Sequence, residues 1–223
     1  MSRPLIVRKT HACVVSCAYL HLMDLFAPDP AHNLLPGGGV VNYYGTILSH
    51  AEADRYFKVL LETIPWKNDE LVIFGKHITT ARKVAWYGDR ELPYTYSGTT
   101  KQTHRWTPEL LELKAAVEKV SGATYNSCLL NLYHNGGEGM SWHSDNEKTM
   151  VHHSPIASIS LGAERKFSFK HRESRETIST MLGHGSLLVM KGATQENWLH
   201  SVPKAPRVME PRINLTFRKM REM

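Results

Sequence analysis

Arg212-Ile213-Asn214-Leu215-Thr216-Phe217-Arg218 places a polar side chain at every second position near the C-terminus. In an extended chain successive side chains point to opposite faces, so Arg212, Asn214 and Arg218 share one face. Buried arginines are costly unless an anion meets them. A dicarboxylate would suit two inward-facing guanidinium forks, because each fork binds a carboxylate in bidentate fashion. Salt bridges to acids of the protein itself are the alternative.

Moving upstream, Ser186 to Met190, Lys166 to Lys170, Ile156 to Leu161 and Ser127 to Tyr133 also read as short strands, and Ile213 to Phe217 as the last of the set. Gly183 and Gly136-Gly137 mark turns between them. Two helices precede this region. Ser49 with Glu52 forms a capping box, followed by Ala53, Tyr56, Phe57, Leu60, Leu61 and Ile64 at helical spacing and then Pro65. Thr107-Pro108 opens the second helix, Leu110, Leu113, Ala116, Val117 and Val120 form its stripe, and Gly122 stops it. Many closely spaced short strands argue for a sandwich or jelly roll. The class is therefore α+β, with helices buttressing a β-rich core.

His143-Ser144-Asp145 puts an imidazole and a carboxylate two residues apart, on one face if the segment is extended. With a distant histidine this becomes the two-histidine, one-carboxylate set that holds one face of Fe(II) and leaves positions open. His200, after Trp198, is the third candidate. By spacing alone His134, His152, His153 and His184 are equal rivals, and the pair is a weak motif. Asn131 and Tyr133, also two apart, lie on the strand just before it.

The whole chain sets the frame. It has 223 residues, a formal charge of +6 and a pI near 9.2, which suits one domain and a polyanionic partner such as nucleic acid. Three cysteines, Cys13, Cys17 and Cys128, do not make a disulfide framework and fit a reducing, cytoplasmic setting. No apolar run is long enough for a membrane span, so no membrane partner is expected. Residues 1–39 read as an N-terminal extension and loop, poorly ordered before Met23, and the coherent domain as residues 40–223.

These pieces closely resemble the AlkB family of DNA-repair dioxygenases. The resemblance rests on Asn131-Leu132-Tyr133, His143-Ser144-Asp145, Ser154-Pro155-Ile156-Ala157-Ser158, Trp198-Leu199-His200 and Pro211 to Arg218. It runs from about residue 40 to the C-terminus and looks nearest to the branch acting on double-stranded DNA. It implies a double-stranded β-helix (jelly roll) core with a nucleotide-recognition lid over about residues 66–106. It implies Fe(II) on the catalytic ligands His143, Asp145 and His200, and 2-oxoglutarate held by Asn131, Tyr133, Arg212, Asn214 and Arg218, with O2 as cosubstrate. The cosubstrate would be oxidised to succinate and CO2, and the alkyl group of 1-methyladenine or 3-methylcytosine lost as formaldehyde.

The same resemblance extends to the substrate. Glu147 matches an acidic base-contacting position, suited to lesions that carry positive charge. Tyr94-Thr95-Tyr96-Ser97-Gly98 matches the lid motif, with Tyr96 stacking on a flipped base and Tyr94 and Ser97 beside it. Val72-Ile73-Phe74-Gly75-Lys76 resembles an inserted hairpin whose Phe74 would fill the gap in the duplex, and Arg82 would support the strand. Lys170, Arg172 and Arg175 form a basic stripe. One departure stands out: Lys204-Ala205-Pro206-Arg207 dilutes a run of basic residues that the duplex-acting branch carries there. The expected partner is alkylated DNA, double- or single-stranded, met by a monomer. An RNA or tRNA demethylase of the same chemistry is the first alternative, and a non-catalytic nucleic-acid-binding module the second.

Overall fold

The computed structural model of the chain describes residues 28–73, 76–90, 93–96 and 99–221. The extension expected before Met23 lies outside them. After strand β1 (Val40–Thr46) comes helix α1 (His50–Thr63), capped by Ser49. The Ser49 hydroxyl accepts from the Glu52 amide at 3.3 Å, and Glu52 accepts from the Ser49 amide at 2.8 Å. This satisfies two amides that the first turn leaves without helical partners. Ile64 turns extended ahead of Pro65, whose ring disfavours a helical conformation in the residue before it.

Strands β2 (Lys67–Ile73) and β3 (Lys76–Gly88) form an antiparallel pair, and β4 (Pro93–Tyr96) pairs with β5 (Thr99–Gln102) as a separate ribbon. The two-residue strand β6 (His104–Arg105) leads to helix α2 (Pro108–Ser121), which Thr107 caps and Gly122 ends in the left-handed region at φ 69°. Seven more strands follow: β7 (Ser127–Tyr133), β8 (Met140–His143), β9 (Ile156–Gly162), β10 (Arg165–His171), β11 (Thr177–Leu182), β12 (Ser186–Lys191) and β13 (Trp198–Val202). Only a four-residue helix, α3 (Thr194–Asn197), interrupts them, before β14 (Arg212–Arg218) closes the fold.

The strands make two sheets. The larger runs β1-β12-β9-β14-β7-β3-β2, with β6 attached to β3, and the smaller runs β11-β10-β13-β8. Alternation along the large sheet gives its two faces different work. Leu130, Leu132, Ala157, Ile159, Leu161, Leu187, Val189, Ile213, Leu215 and Phe217 pack against α1 and α2 through Ala53, Leu60, Leu110, Leu113 and Val117. The opposite face supplies Ile156, Leu188 and Met190 to a second cluster with Phe167, Phe169, Trp198 and Val202 of the small sheet. The two sheets therefore face each other across an interior, as a jelly roll requires.

Each of the five strands expected from sequence is present, with ends shifted by no more than one residue. Within residues 66–106, β3 pairs with β7 from Lys83↔Leu132 to Gly88↔Ser127 and extends the large sheet, and β2 pairs with β3 up to Ile73↔Lys76. Gly162 holds the turn after β9 at φ +84°, where a Cβ would sit 2.4 Å from the Pro211 carbonyl oxygen and 2.7 Å from Phe57. Only glycine satisfies both conditions.

Candidate active site

The site lies between the sheets. Its floor is the polar face of the large sheet, where registry places Asn214 opposite Asn131 and Ser160, and Arg212 opposite Tyr133 and Gly162. Its wall is the small sheet, where β13 and β8 pair with His200 directly across from His143. The metal ligands and the arginines thus come from opposing sheets, and the jelly roll brings them together.

The ligand atoms of His143, Asp145 and His200 all lie within 4.8 Å of one another. His143 ends β8, and Asp145 follows just beyond the strand. The imidazole rings stand 4.2 Å apart, centroid to centroid, and His143 Nε2 is 3.8 Å from Asp145 Oδ1. His143 Nδ1 lies 2.8 Å from the Ser141 carbonyl oxygen, which only accepts, so the ring proton sits on Nδ1 and Nε2 keeps its lone pair for a metal. His200 is 4% exposed. Burial, helped by neighbouring His143, pushes its pKa down to about 3, so it too is a neutral donor at physiological pH. Burial alone would raise the Asp145 carboxyl, but Arg218, His200 and His143 outweigh it and bring the pKa down to about 2. An ionised carboxylate and two neutral imidazoles converging on one point fit Fe(II).

The arginines divide their roles. Arg218 places Nη2 2.8 Å from Asp145 Oδ2 and Nη1 3.7 Å from Glu147 Oε1. It thereby leaves Asp145 Oδ1 turned toward His143. For this arginine, pairing with acids of the protein is what the structure shows. Arg212 is different. It is 1% exposed, donates from Nη2 to Ser160 Oγ at 2.9 Å, and leaves buried Nε and Nη1 with no hydrogen-bond partner. Burial lowers its pKa to about 10, still far above neutrality. A buried cation with two unused donors is a receptor for a carboxylate. The buried Asn131 Oδ1 also lacks a partner. Asn214, by contrast, spends its amide on Ser158 Oγ at 2.7 Å and the Ile159 carbonyl at 2.9 Å, and so braces the floor.

Glu147 keeps both carboxylate oxygens shielded and without a hydrogen bond. Arg82 does not face outward, as support of a duplex would require. It is 4% exposed, ion-paired to buried Asp69, with Nη1 2.7 Å from Met140 Sδ, and it lines the iron pocket with Trp86, Phe167 and Thr216. Tyr94 and Tyr96 lie on β4, their backbones in register with Lys101 and Thr99. Phe74 and Ser97 lie outside the described residues. In the basic stripe, Arg172 donates to Ser144 Oγ at 2.8 Å and the Lys170 ammonium sits 4.2 Å over the Trp142 ring.

Two further polar contributors carried no sequence signal. Gln195 on α3 accepts the Asp145 backbone N–H at 2.9 Å, while its Nε2 lies 3.2 Å from Met190 Sδ. Arg165 is 2% exposed, donates to the Glu138 and Pro203 carbonyls at 2.8 and 2.9 Å, and stands 5.8 Å from the centroid of the Tyr133 ring, which Arg212 also approaches, at 5.4 Å. Its charge beside Arg212 adds to the pull on an anion there.

Comparison with known proteins agrees with this geometry. Residues 40–218 match the 2OG-Fe(II) oxygenase superfamily. The chain is 39% identical over 208 residues to the DNA oxidative demethylase ALKBH2 of Mus musculus, covering 88% of this chain and 86% of that one. It is 39% identical over 188 residues to ALKBH2 of Homo sapiens, covering 79% and 72%. It is 41% identical over 177 residues to the alpha-ketoglutarate-dependent dioxygenase alkB homolog 3 of Homo sapiens, covering 75% and 61%. Its fold resembles that in the structure of OsALKBH1, with a TM-score of 0.56 and 16% identity over 83% of this chain and 99% of the other. A His–Asp–His centre opposite an unsatisfied arginine, inside a jelly roll that aligns along nearly its whole length, places this chain in the AlkB family of the 2OG-Fe(II) oxygenase superfamily.

Proposed function

We propose that the chain removes alkyl groups from bases in DNA by oxidative dealkylation, with 1-methyladenine and 3-methylcytosine as the substrate class. The observation that carries this reading is the pairing of His143, Asp145 and His200 with the guanidinium of Arg212, which keeps two buried donors unused, two halves of one dioxygenase site. The activity printed for the relatives, DNA oxidative demethylation, supports it.

Iron bound by these three residues would supply O2 activation coupled to oxidation of 2-oxoglutarate. In that reaction 2-oxoglutarate would lose CO2 and end as succinate carrying one oxygen atom of O2, the other atom would end on the alkyl carbon, and the carbon–nitrogen bond would then break to release formaldehyde and the restored base. The chain positions the reactants. Arg212 binds the carboxylate of 2-oxoglutarate remote from the metal, with Tyr133 and Asn131 beside it. Arg218 holds Asp145 so that a single oxygen is offered. Glu147, a shielded carboxylate, favours a cationic methylated base over the neutral normal one. Tyr96 is the stacking platform, with Tyr94 and Ser97 next to it, and Phe74 fills the space the flipped base vacates.

The test is formaldehyde release from oligonucleotides carrying 3-methylcytosine, as single strands, duplex and RNA, with and without 2-oxoglutarate. Turnover of DNA only in its presence is expected. Activity independent of 2-oxoglutarate would defeat the proposal, and a clear preference for RNA would move the substrate to the alternative class.

A further inference from the structure

Three groups of histidine and carboxylate among the described residues have ligand atoms close enough for one cation: the iron centre, His50 with Asp54 and His184, and His152 with His153 and Glu196. The second is occupied by hydrogen bonding. His184 Nδ1 accepts the Gly162 backbone N–H at 2.7 Å, so the ring proton sits on Nε2, which lies 3.2 Å from Asp54 Oδ1. A protonated ring nitrogen has no lone pair to give a metal.

In the third group no backbone donor engages either Nδ1 among the described residues, so the Nε2 protons that now meet Glu196 can move to Nδ1 and free the Nε2 lone pairs for a cation. His152 Nε2 and His153 Nε2 converge on one oxygen, Glu196 Oε1, at 2.7 and 3.0 Å. Adjacent residues of an extended chain point apart. Here His153 takes φ 58°, a left-handed conformation uncommon for a residue with a Cβ, and its ring stacks on that of His152 at 3.8 Å and 27°. Hydrogen bonds from His152 and His153 lower the Glu196 pKa and keep it ionised at neutral pH. With both rings neutral the cluster carries one negative charge and two imidazole lone pairs. Metal–ligand bonds of about 2.0–2.1 Å separate donor atoms by about 2.9 Å in the square geometry of copper and about 3.3 Å in the tetrahedral geometry of zinc, so the observed 2.7 and 3.0 Å need open by only a few tenths of an ångström to admit an ion.

We propose that His152, His153 and Glu196 form a second metal site, exposed at the surface, for a divalent cation of the zinc or copper class. Imidazole and carboxylate donors suit these ions, and solvent completes the coordination sphere. The cation bridges two segments that serve the iron centre. His152 and His153 follow the stretch carrying Asp145 and Glu147. Glu196 sits on α3 beside Gln195, which holds the Asp145 amide. An ion here fastens that stretch to α3 from outside.

The experiment counts zinc bound to the untagged full chain by equilibrium dialysis against Zn2+ alone. The unmodified chain should bind two equivalents and His152→Ala/His153→Ala one, with near-ultraviolet circular dichroism unchanged. Glu196→Gln should weaken the second equivalent at least tenfold. In His143→Ala one equivalent should remain, so failure of the iron assignment and failure of this one are read separately. Copper bound to the second site should show nitrogen coupling in its electron paramagnetic resonance spectrum, lost in the double variant. Equal zinc counts for the unmodified chain and the double variant overturn the proposal.

Discussion

Arg212 and Gln195 bear on the two ends of the site. Arg212→Met removes a buried guanidinium with two unused donors, Nε and Nη1, while keeping most of the buried volume. The KM for 2-oxoglutarate should rise at least tenfold, measured by succinate formation, with Fe(II) affinity little changed. Gln195→Ala removes the acceptor of the Asp145 amide and touches no other ligand. Loss of such supporting contacts commonly weakens metal binding by about 10-fold or more. Fe(II) affinity should fall while the KM for 2-oxoglutarate holds, a split that general loosening of the fold would not produce. These residues differ in how readable they are from sequence. Arg212 and Arg218 announce themselves by parity on a strand, and His143 and Asp145 by spacing, but parity could not say which arginine a protein acid would claim. Gln195 and Arg165 act through backbone amides and carbonyls of distant segments, a relation that leaves no spacing in the chain.

Helices α1 and α2 were the most legible elements, because their caps and stripes are local. Leu113, fully buried beneath the large sheet, tests that reading. Leu113→Ala should cost about 2–5 kcal/mol by urea denaturation, the usual range for a buried leucine that leaves a cavity. Strands were legible where a short run is buried throughout, as in Ile156 to Leu161, or where alternation is clean. Others escaped for physical reasons. In β3, Thr79, Thr80, Arg82 and Lys83 break the apolar pattern, and one of them, Arg82, turns inward to Asp69 and the pocket. The edge strand β11 reads Thr-Ile-Ser-Thr-Met-Leu and is mostly exposed along its length. In β13 the ligand His200 interrupts what would otherwise be an ordinary buried strand.

For the molecule as a whole, a net charge of +6 and a basic stripe predict binding to nucleic acid that weakens steeply with salt. Affinity for unmodified duplex DNA should drop at least about tenfold between roughly 50 and 200 mM salt, read by fluorescence anisotropy, because counterions compete for the phosphates. The resemblance foretold the architecture; which sheet carries which half of the site became visible only with the strand pairing. That pairing sets His200 directly across from His143. Sliding β8 past β13 by one residue would turn a ligand out of the interior, since neighbouring positions on a strand face opposite ways. Stoichiometric iron uptake by protein recovered from denaturant therefore doubles as a gauge of folding fidelity: molecules with misaligned strands would stay iron-free even if their overall strand content looked native.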